Sequence, residues 1–213
     1  ALTSIASVAK VTLTSRTADS QIGNFIVIEN GEIIDRGEKG CSQGTTIVVE
    51  NLFKNIPARA KFLSKPAVEE SVITDTVARL VMTNPTISIK YSAGGKVIYH
   101  SSGDNLKNAI YTVYGKTFVE NMVAIERVMP NITLKGYINK PYYTKPNRTY
   151  QTLIVNGRYV ENADISFCVY NCYRDFLMKR QFPAYVLILD LPHDMVDVNI
   201  HPNKLEVKFA GVN

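Results

Sequence analysis

Three cysteines, Cys41, Cys168 and Cys172, are all that 213 residues contain. An odd and small number excludes a disulfide framework and fits a reducing cytoplasm. Histidine is equally scarce. His100, His193 and His201 show no ligand spacing with one another, and Cys168 and Cys172 lack nearby partners to complete a tetrahedral zinc site. These two cysteines, four apart on an expected helix, read as buried packing. No apolar run approaches the roughly 20 residues that a membrane span needs. The opening "ALTSIASVAKVTL" has no basic region before its apolar residues, so it reads as a poor signal peptide. Without secretion, the Asn131-Ile-Thr and Asn147-Arg-Thr triplets carry no glycosylation meaning. The chain also lacks an initiating Met and opens as if in mid-helix, which reads as a fragment of a longer protein.

What is present is ordinary for a globular chain: 46% hydrophobic and 20% charged residues, net charge +5. The length suits one large domain or two of about 100 residues. Neither half is strongly basic, since residues 1–103 carry 11 basic and 9 acidic side chains and residues 104–213 carry 13 and 10. The charge is uneven locally. Residues 127–160 hold Arg127, Lys135, Lys140, Lys145, Arg148 and Arg158 with no acid, and residues 51–68 hold Lys54, Arg59, Lys61 and Lys65 with no acid. Acid-free stretches of this kind are candidate phosphate-backbone surfaces, set against the alternative of a solvated face.

Periodicity predicts strands over 10–17, 24–37 with a turn at Asn30-Gly31, and 44–53. A helix is expected over 67–83, with Val68, Val72, Ile73, Thr76, Leu80 and Val81 near helical spacing, stopped by Asn84-Pro85. A hairpin around Gly94-Gly95 follows, and the polar "SSGDN" at 101–105 is a candidate boundary. Beyond it come a helix over 105–114, strands near 122–128 and 132–139, and a hairpin over 150–160 turning at Asn156-Gly157. A helix near 164–179 precedes a strand at 184–191 and two strands within "VDVNIHPNKLEVKF" (196–209). This second half reads as a sheet with helices on one side, an α+β arrangement. In the last stretch Pro202 ends the first strand, which leaves Lys204 on a connection between two strands with apolar inward faces.

No self-contained catalytic site emerges. "YGKTF" (114–118) resembles the end of a phosphate-binding loop, but the required first glycine falls at Ile110. "DRGEKG" (35–40) follows a hairpin rather than joining strand to helix, so it reads as a turn. There is no Ser-His-Asp arrangement.

Four segments in order carry a resemblance: "ALTSIASVAKVTLTSRT", "GTTIVVENLFKNIPARAKFL" (44–63), "IVNGRYV" (154–160) and "VDVNIHPNKLEVKF" (196–209). Together they resemble the MutL family of DNA mismatch repair proteins, colinearly over essentially the whole chain. The resemblance implies the C-terminal part of a GHKL (Bergerat-type) ATPase domain over 1–103. A ribosomal protein S5 domain 2-like domain would follow over 104–213. It implies an ATP-dependent, DNA-binding switch that couples mismatch recognition to downstream repair, with ATP and Mg²⁺ as cofactors of the parent protein and none bound to this fragment. Lys204 corresponds to the lysine that in the family reaches the γ-phosphate, the catalytic-site residue expected here. A compact, mobile point charge suits that task. Gly44, Thr45, Ala1 and Leu2 correspond to nucleotide-contacting positions.

The family's catalytic Glu, Mg-binding Asn and Asp-x-Gly-x-Gly motif would lie upstream of Ala1, across roughly 100 residues by comparison with the family. The fragment alone is therefore expected not to hydrolyse ATP. Arg158 corresponds to a DNA-binding position. A second such position falls at Ser64, beside Lys65. Lys61, Lys65, Arg148 and Lys145 complete the candidate DNA-binding set. Implied partners are double- and single-stranded DNA without sequence specificity, a MutS-like mismatch-recognition protein and a second copy of the parent in an ATP-dependent dimer, with no membrane. The location would be cytoplasmic and nucleoid-associated in a bacterium, or nuclear in a eukaryote. Two alternatives stand beside this reading: a nucleotide-independent nucleic-acid-binding S5-like module, and the transducer of a related type II topoisomerase ATPase. Cutting a larger sheet-and-helix domain leaves an open edge and an uncovered apolar face, so residues 1–103 are expected to be partly remodelled, mobile or shielded by another copy, and 104–213 to be the sturdier part.

Overall fold

The computed structural model describes residues 2–197 and 208–209. The chain divides into two compact units, 1–69 and 70–213. The polar stretch at 101–105 lies inside the second of these, where Ser101 is buried.

The first unit opens with helix α1 (Leu2–Ala6), then β1 (Lys10–Arg16), β2 (Gly23–Glu29), β3 (Glu32–Lys39), β4 (Gly44–Glu50) and the short helix α2 (Pro57–Ala60). The strands form an antiparallel sheet in the order β3-β2-β1-β4. Asn30 and Gly31 close the β2–β3 hairpin with φ of 56° and 84°, the left-handed pair that a tight two-residue turn requires. The core of this unit is thin. Ala6, Ala9 and Val11 are its buried hydrophobic residues, while Ile33 and Ile47 are 55% and 44% exposed and every residue of β3 and β4 is exposed. The sheet thus presents open apolar surface.

Helix α3 (Pro66–Thr83) begins with Pro at its first position, where a missing N–H costs nothing. Its buried stripe is Ala78, Val81 and Met82. This corrects the expected apolar face, because Val68, Val72, Ile73 and Leu80 are exposed. The helix meets the core along one short stripe near its C-terminal end, and the other apolar positions point away from that stripe.

The second unit continues with the hairpin β5 (Ile89–Ala93) and β6 (Lys96–Ser101), helices α4 (Leu106–Tyr114) and α5 (Lys116–Glu120), and the hairpin β7 (Met122–Met129) and β8 (Ile132–Asn139). A second hairpin, β9 (Gln151–Val155) and β10 (Arg158–Val160), leads through α6 (Ala163–Tyr173) to β11 (Tyr185–Asp190). These strands form a five-stranded sheet in the order β10-β9-β11-β8-β7, in which β11 runs parallel to β9 and antiparallel to β8. A last antiparallel pair joins β12 (Val196–Asp197) to β13 (Lys208–Phe209). The remaining residues of the stretch 196–209, including Lys204, lie outside the described residues.

Helices cover both faces of the five-stranded sheet, not one. Ile154, Ala184 and Val186 pack with Met82, Ile110 and Phe118 from the α3, α4 and α5 side. Leu153, Val155, Tyr185 and Leu187 pack with Ile165 and Val169 of α6. A strand buried on both faces reads as an unbroken apolar run, which "TLIV" and "YVLIL" are. The buried stripe of α6 runs through Ser166, Val169 and Tyr173. Cys168 and Cys172 fall off that stripe and are exposed, which corrects the expectation of buried thiols. The α-helix also stops at Tyr173 and tightens to a 3-10 turn over Arg174–Phe176, short of the expected 179. Among the described residues no helix is long and apolar enough to cross a membrane.

Two residues fix β8 against β11. Gly136 faces Leu187 with φ of 142°, and a Cβ there would lie 2.1 Å from the Val186 carbonyl oxygen. Asn139 is 1% exposed; its Oδ1 accepts from the Ala184 N–H at 3.0 Å, and its Nδ2 donates to the Lys140 and Tyr143 carbonyls at 3.0 and 2.7 Å. Because the Gly136 clash is with backbone that cannot turn aside, Gly136→Ala should destabilise the second unit by at least ~3 kcal/mol, read as a lowered denaturant midpoint at unchanged buffer and temperature.

Candidate nucleic-acid interface

The β9–β10 turn is built from Asn156 and Gly157, with φ of 48° and 77°. Two successive left-handed residues match the twist of the flanking strands, which is why an Asn-Gly pair occupies the turn. Val155 pairs with Arg158 across it. Arg158 is therefore the first residue after a tight turn, exposed, with no hydrogen bond or ion pair among the described residues. Next along the strand, Tyr159 is half-buried and Val160 is buried. Burial of Val160 fixes the strand's rotation, so Arg158 and Tyr159 have defined directions.

Tyr159 is gripped from α3. The Arg79 guanidinium lies 4.2 Å from the centre of its ring, and Glu161 accepts from the Tyr159 hydroxyl at 3.1 Å. Arg79 and Glu161 are also an ion pair at 3.7 Å. Burial, opposed by the Arg79 charge and reinforced by Glu161, pushes the Tyr159 hydroxyl up to about 12. This clasp borders a cleft of about 1010 Å³ lined by Arg79, Tyr114, Arg148, Tyr159, Glu161 and Tyr185, among others. Burial also raises the hydroxyls of Tyr114 and Tyr185.

The other basic candidates are placed very differently from one another. Arg148 is exposed, begins a 3-10 turn and stands 5.1 Å over the Phe182 ring. Lys145 is half-buried. Its ammonium donates to the Tyr143 hydroxyl at 2.8 Å and lies 4.2, 4.7 and 5.5 Å from the rings of Tyr143, Tyr150 and Phe118. Its charge is shared with ring faces inside the protein. Within the same acid-free stretch, Lys135 pairs with Asp190 at 3.1 Å and Lys140 donates to the Glu120 carbonyl at 2.9 Å. Three of the six cations between 127 and 160 are thus engaged internally, which a count of charges along the sequence does not show.

In the first unit Lys61 and Lys65 are exposed. Lys65 stands immediately before α3, and its carbonyl accepts from the Val68 N–H at 2.8 Å. Ser64 donates its N–H to Glu69 at 2.8 Å. Gly44 and Thr45 open β4 and are exposed; Thr45 Oγ1 lies 2.8 Å from Ser15 Oγ, and a Cβ on Gly44 would meet nothing within 4 Å. Leu2 is exposed in α1, and Ala1 and Lys204 fall outside the described residues. These residues leave an open, hydroxyl-bearing strand start. Among the described residues no cluster of three or more His, Cys, Asp or Glu side chains could hold a metal ion.

Sequence reasoning missed Arg79, Glu161 and the Asn156 side chain. Only Asn156 had a signal, and it read as a turn residue alone.

The model of the DNA mismatch repair protein C-terminal domain matches residues 110–212. The MutL protein of Clostridium botulinum (strain Eklund 17B / Type B) is 39% identical over 210 residues, which is 98% of this chain and 31% of the relative. The chain spans about a third of the length of the curated relatives it matches. Among solved structures, the Aquifex aeolicus MutL ATPase domain complexed with ADP superposes with a TM-score of 0.74 at 25% identity, covering 90% of this chain and 71% of that one. The gyrase B-subunit of Myxococcus xanthus shares the fold alone, with a TM-score of 0.57 at 9% identity over 98% of this chain and 64% of that one. The architecture is that of the GHKL-type ATPase proteins and the domain that accompanies their ATPase. Within that class, the chain belongs to the MutL family of DNA mismatch repair proteins.

The tyrosine clasp carries its own prediction. A hydroxyl whose pKa in the folded protein lies above its ordinary 10.0 favours the folded state while it stays protonated. That contribution is fully present below pH 10 and is lost as pH rises toward about 12. The denaturant midpoint should therefore hold level up to pH 10 and fall above it, and Tyr159→Phe should weaken the fall.

Proposed function

We propose that this chain forms the DNA-contacting and nucleotide-sensing part of an ATP-operated mismatch repair switch. The observation that carries the DNA half of the reading is Arg158: an exposed cation, without a partner among the described residues, on a turn whose backbone leaves it little freedom. A guanidinium in that position suits a phosphate and reads no base, so binding is expected to be independent of sequence. Arg148 is a second candidate contact in the same unit, and Lys61 and Lys65 are the candidates that the first unit offers. Lys145 enters it only if its ring contacts open.

For the nucleotide half, Gly44, Thr45, Leu2 and Ala1 would meet ATP, and Lys204 would approach its γ-phosphate. Bound ATP, with its Mg²⁺, supplies the charge that Lys204 senses, and loss of that charge on hydrolysis releases the contact. The full-length protein is then an ATPase that dimerises with ATP and is engaged by a MutS-like mismatch-recognition protein. The family membership supports this reading over a nucleotide-independent binding module.

Two measurements test it. With about 4–6 phosphates contacted, log affinity for duplex DNA falls against log salt with a slope of roughly −4 to −5. Arg158→Glu should weaken duplex binding by more than about tenfold at low salt; unchanged affinity removes Arg158 from the interface. In the full-length natural protein, Lys204→Ala should abolish most ATP turnover. Wild-type protein without ATP turnover or binding would instead support the binding-module reading.

A further inference from the structure

The Asn156–Gly157 turn is fastened at a place outside its own hairpin. The Asn156 N–H donates to the Leu189 carbonyl at 3.0 Å, and Asn156 Oδ1 accepts from the Leu191 N–H at 3.0 Å. The parallel register of β9 and β11 ends at Val155–Leu189, and β11 itself ends at Asp190. The Leu191 N–H is thus one position beyond the last strand partner. The Asn156 side chain stands in for the missing strand and satisfies that donor. Leu191 and Val196 both pack against the cluster of Leu153, Val155 and Leu187. The chain between them is the route from β11 into β12. One side chain therefore joins the turn that carries Arg158 to the beginning of that route.

The left-handed backbone of the turn does not need this contact. Glycine would adopt φ of 48° as readily as Asn. What Asn adds over Gly is the bond to Leu191, so the side chain has a function separable from turn formation.

We propose that Asn156 is a positioning residue for Arg158, a latch through which the chain following β11 sets how the guanidinium is presented to a DNA phosphate. The proposal rests on the reading of Arg158 as a DNA contact. Its consequence is that a movement of residues 191–196 changes DNA affinity without touching DNA. By linkage, DNA on Arg158 biases that segment in return.

The test uses this chain and a fluorescent duplex at low salt. Asn156→Gly keeps the turn and removes the bond. It should weaken duplex binding by about three- to tenfold, Arg158→Ala by about tenfold, and the double variant no further than Arg158→Ala alone. The salt slope should fall by about one in each. Amide exchange at Leu191 should quicken in Asn156→Gly and stay slow in Asn156→Asp, which retains the acceptor. Wild-type affinity in Asn156→Gly overturns the latch, as does an additive loss in the double variant, which would mean a general effect on the fold. Wild-type affinity in Arg158→Ala overturns the DNA reading itself, and the latch falls with it. The two failures are distinguished by which single variant still binds.

Discussion

The second unit depends on the placement of one strand, β11. It runs between a parallel neighbour and an antiparallel one, and both its faces are covered, with Tyr185, Val186 and Leu187 buried. Backbone groups beside that stretch and outside the ladder need partners from elsewhere. Two asparagines supply them. Asn139 meets the approach to the strand at Ala184, and Asn156 meets its exit at Leu189 and Leu191. Gly136 lets β8 come close enough for the ladder to form beside Val186. Each of these residues serves a backbone position that the strand ladder alone leaves unpaired or crowded. Removing the Asn139 side chain would leave the buried Ala184 N–H without its partner and take a donor from the Lys140 and Tyr143 carbonyls, which costs more than one hydrogen bond is worth.

The first unit is organised on the opposite principle. Its sheet is regular and its hairpins are tight, yet little of its surface is buried. Strand pairing satisfies the backbone locally, whereas burial requires a second layer. This bears on function, since Gly44 and Thr45 begin a strand that is exposed along its whole length. A hydroxyl on such a strand is available to a ligand. One sealed beneath a helix is not.

Electrostatics in the second unit follow from packing rather than from charge count. Lys135, Lys140 and Lys145 occupy one acid-free stretch with Arg158, but they spend their charge on Asp190, on a backbone carbonyl and on aromatic rings. Arg158 begins the edge strand β10, exposed and with no side-chain partner among the described residues. The same unit holds Tyr159 against Arg79 and Glu161 only one residue away. Alternation along a strand separates the two roles, with one side chain committed to the fold and its neighbour left to solvent.

Much of the fold was legible in the sequence. Asn-Gly pairs marked the hairpins at 30–31 and 156–157, because few residues other than Gly and Asn enter the left-handed region readily. Alternation and helical spacing placed the strands and the longer helices of both units to within a few residues, apart from the C-terminal end of α6, and missed the short helices α2 and α5. The four motif segments pointed to the family. What the sequence could not decide was which faces would be covered. The apolar stripe of α3, Val81 apart, and the cysteines of α6 were expected inside and lie outside, since a period marks a face without saying what packs on it. Nor could it show that Lys145 is caged by Phe118 and Tyr150, or that Asn156 reaches Leu191, 35 residues away. Local backbone preference belongs to a few adjacent residues and is written there. Burial, ion pairing and the reach of a side chain belong to residues distant in the chain, and only the tertiary structure brings those together.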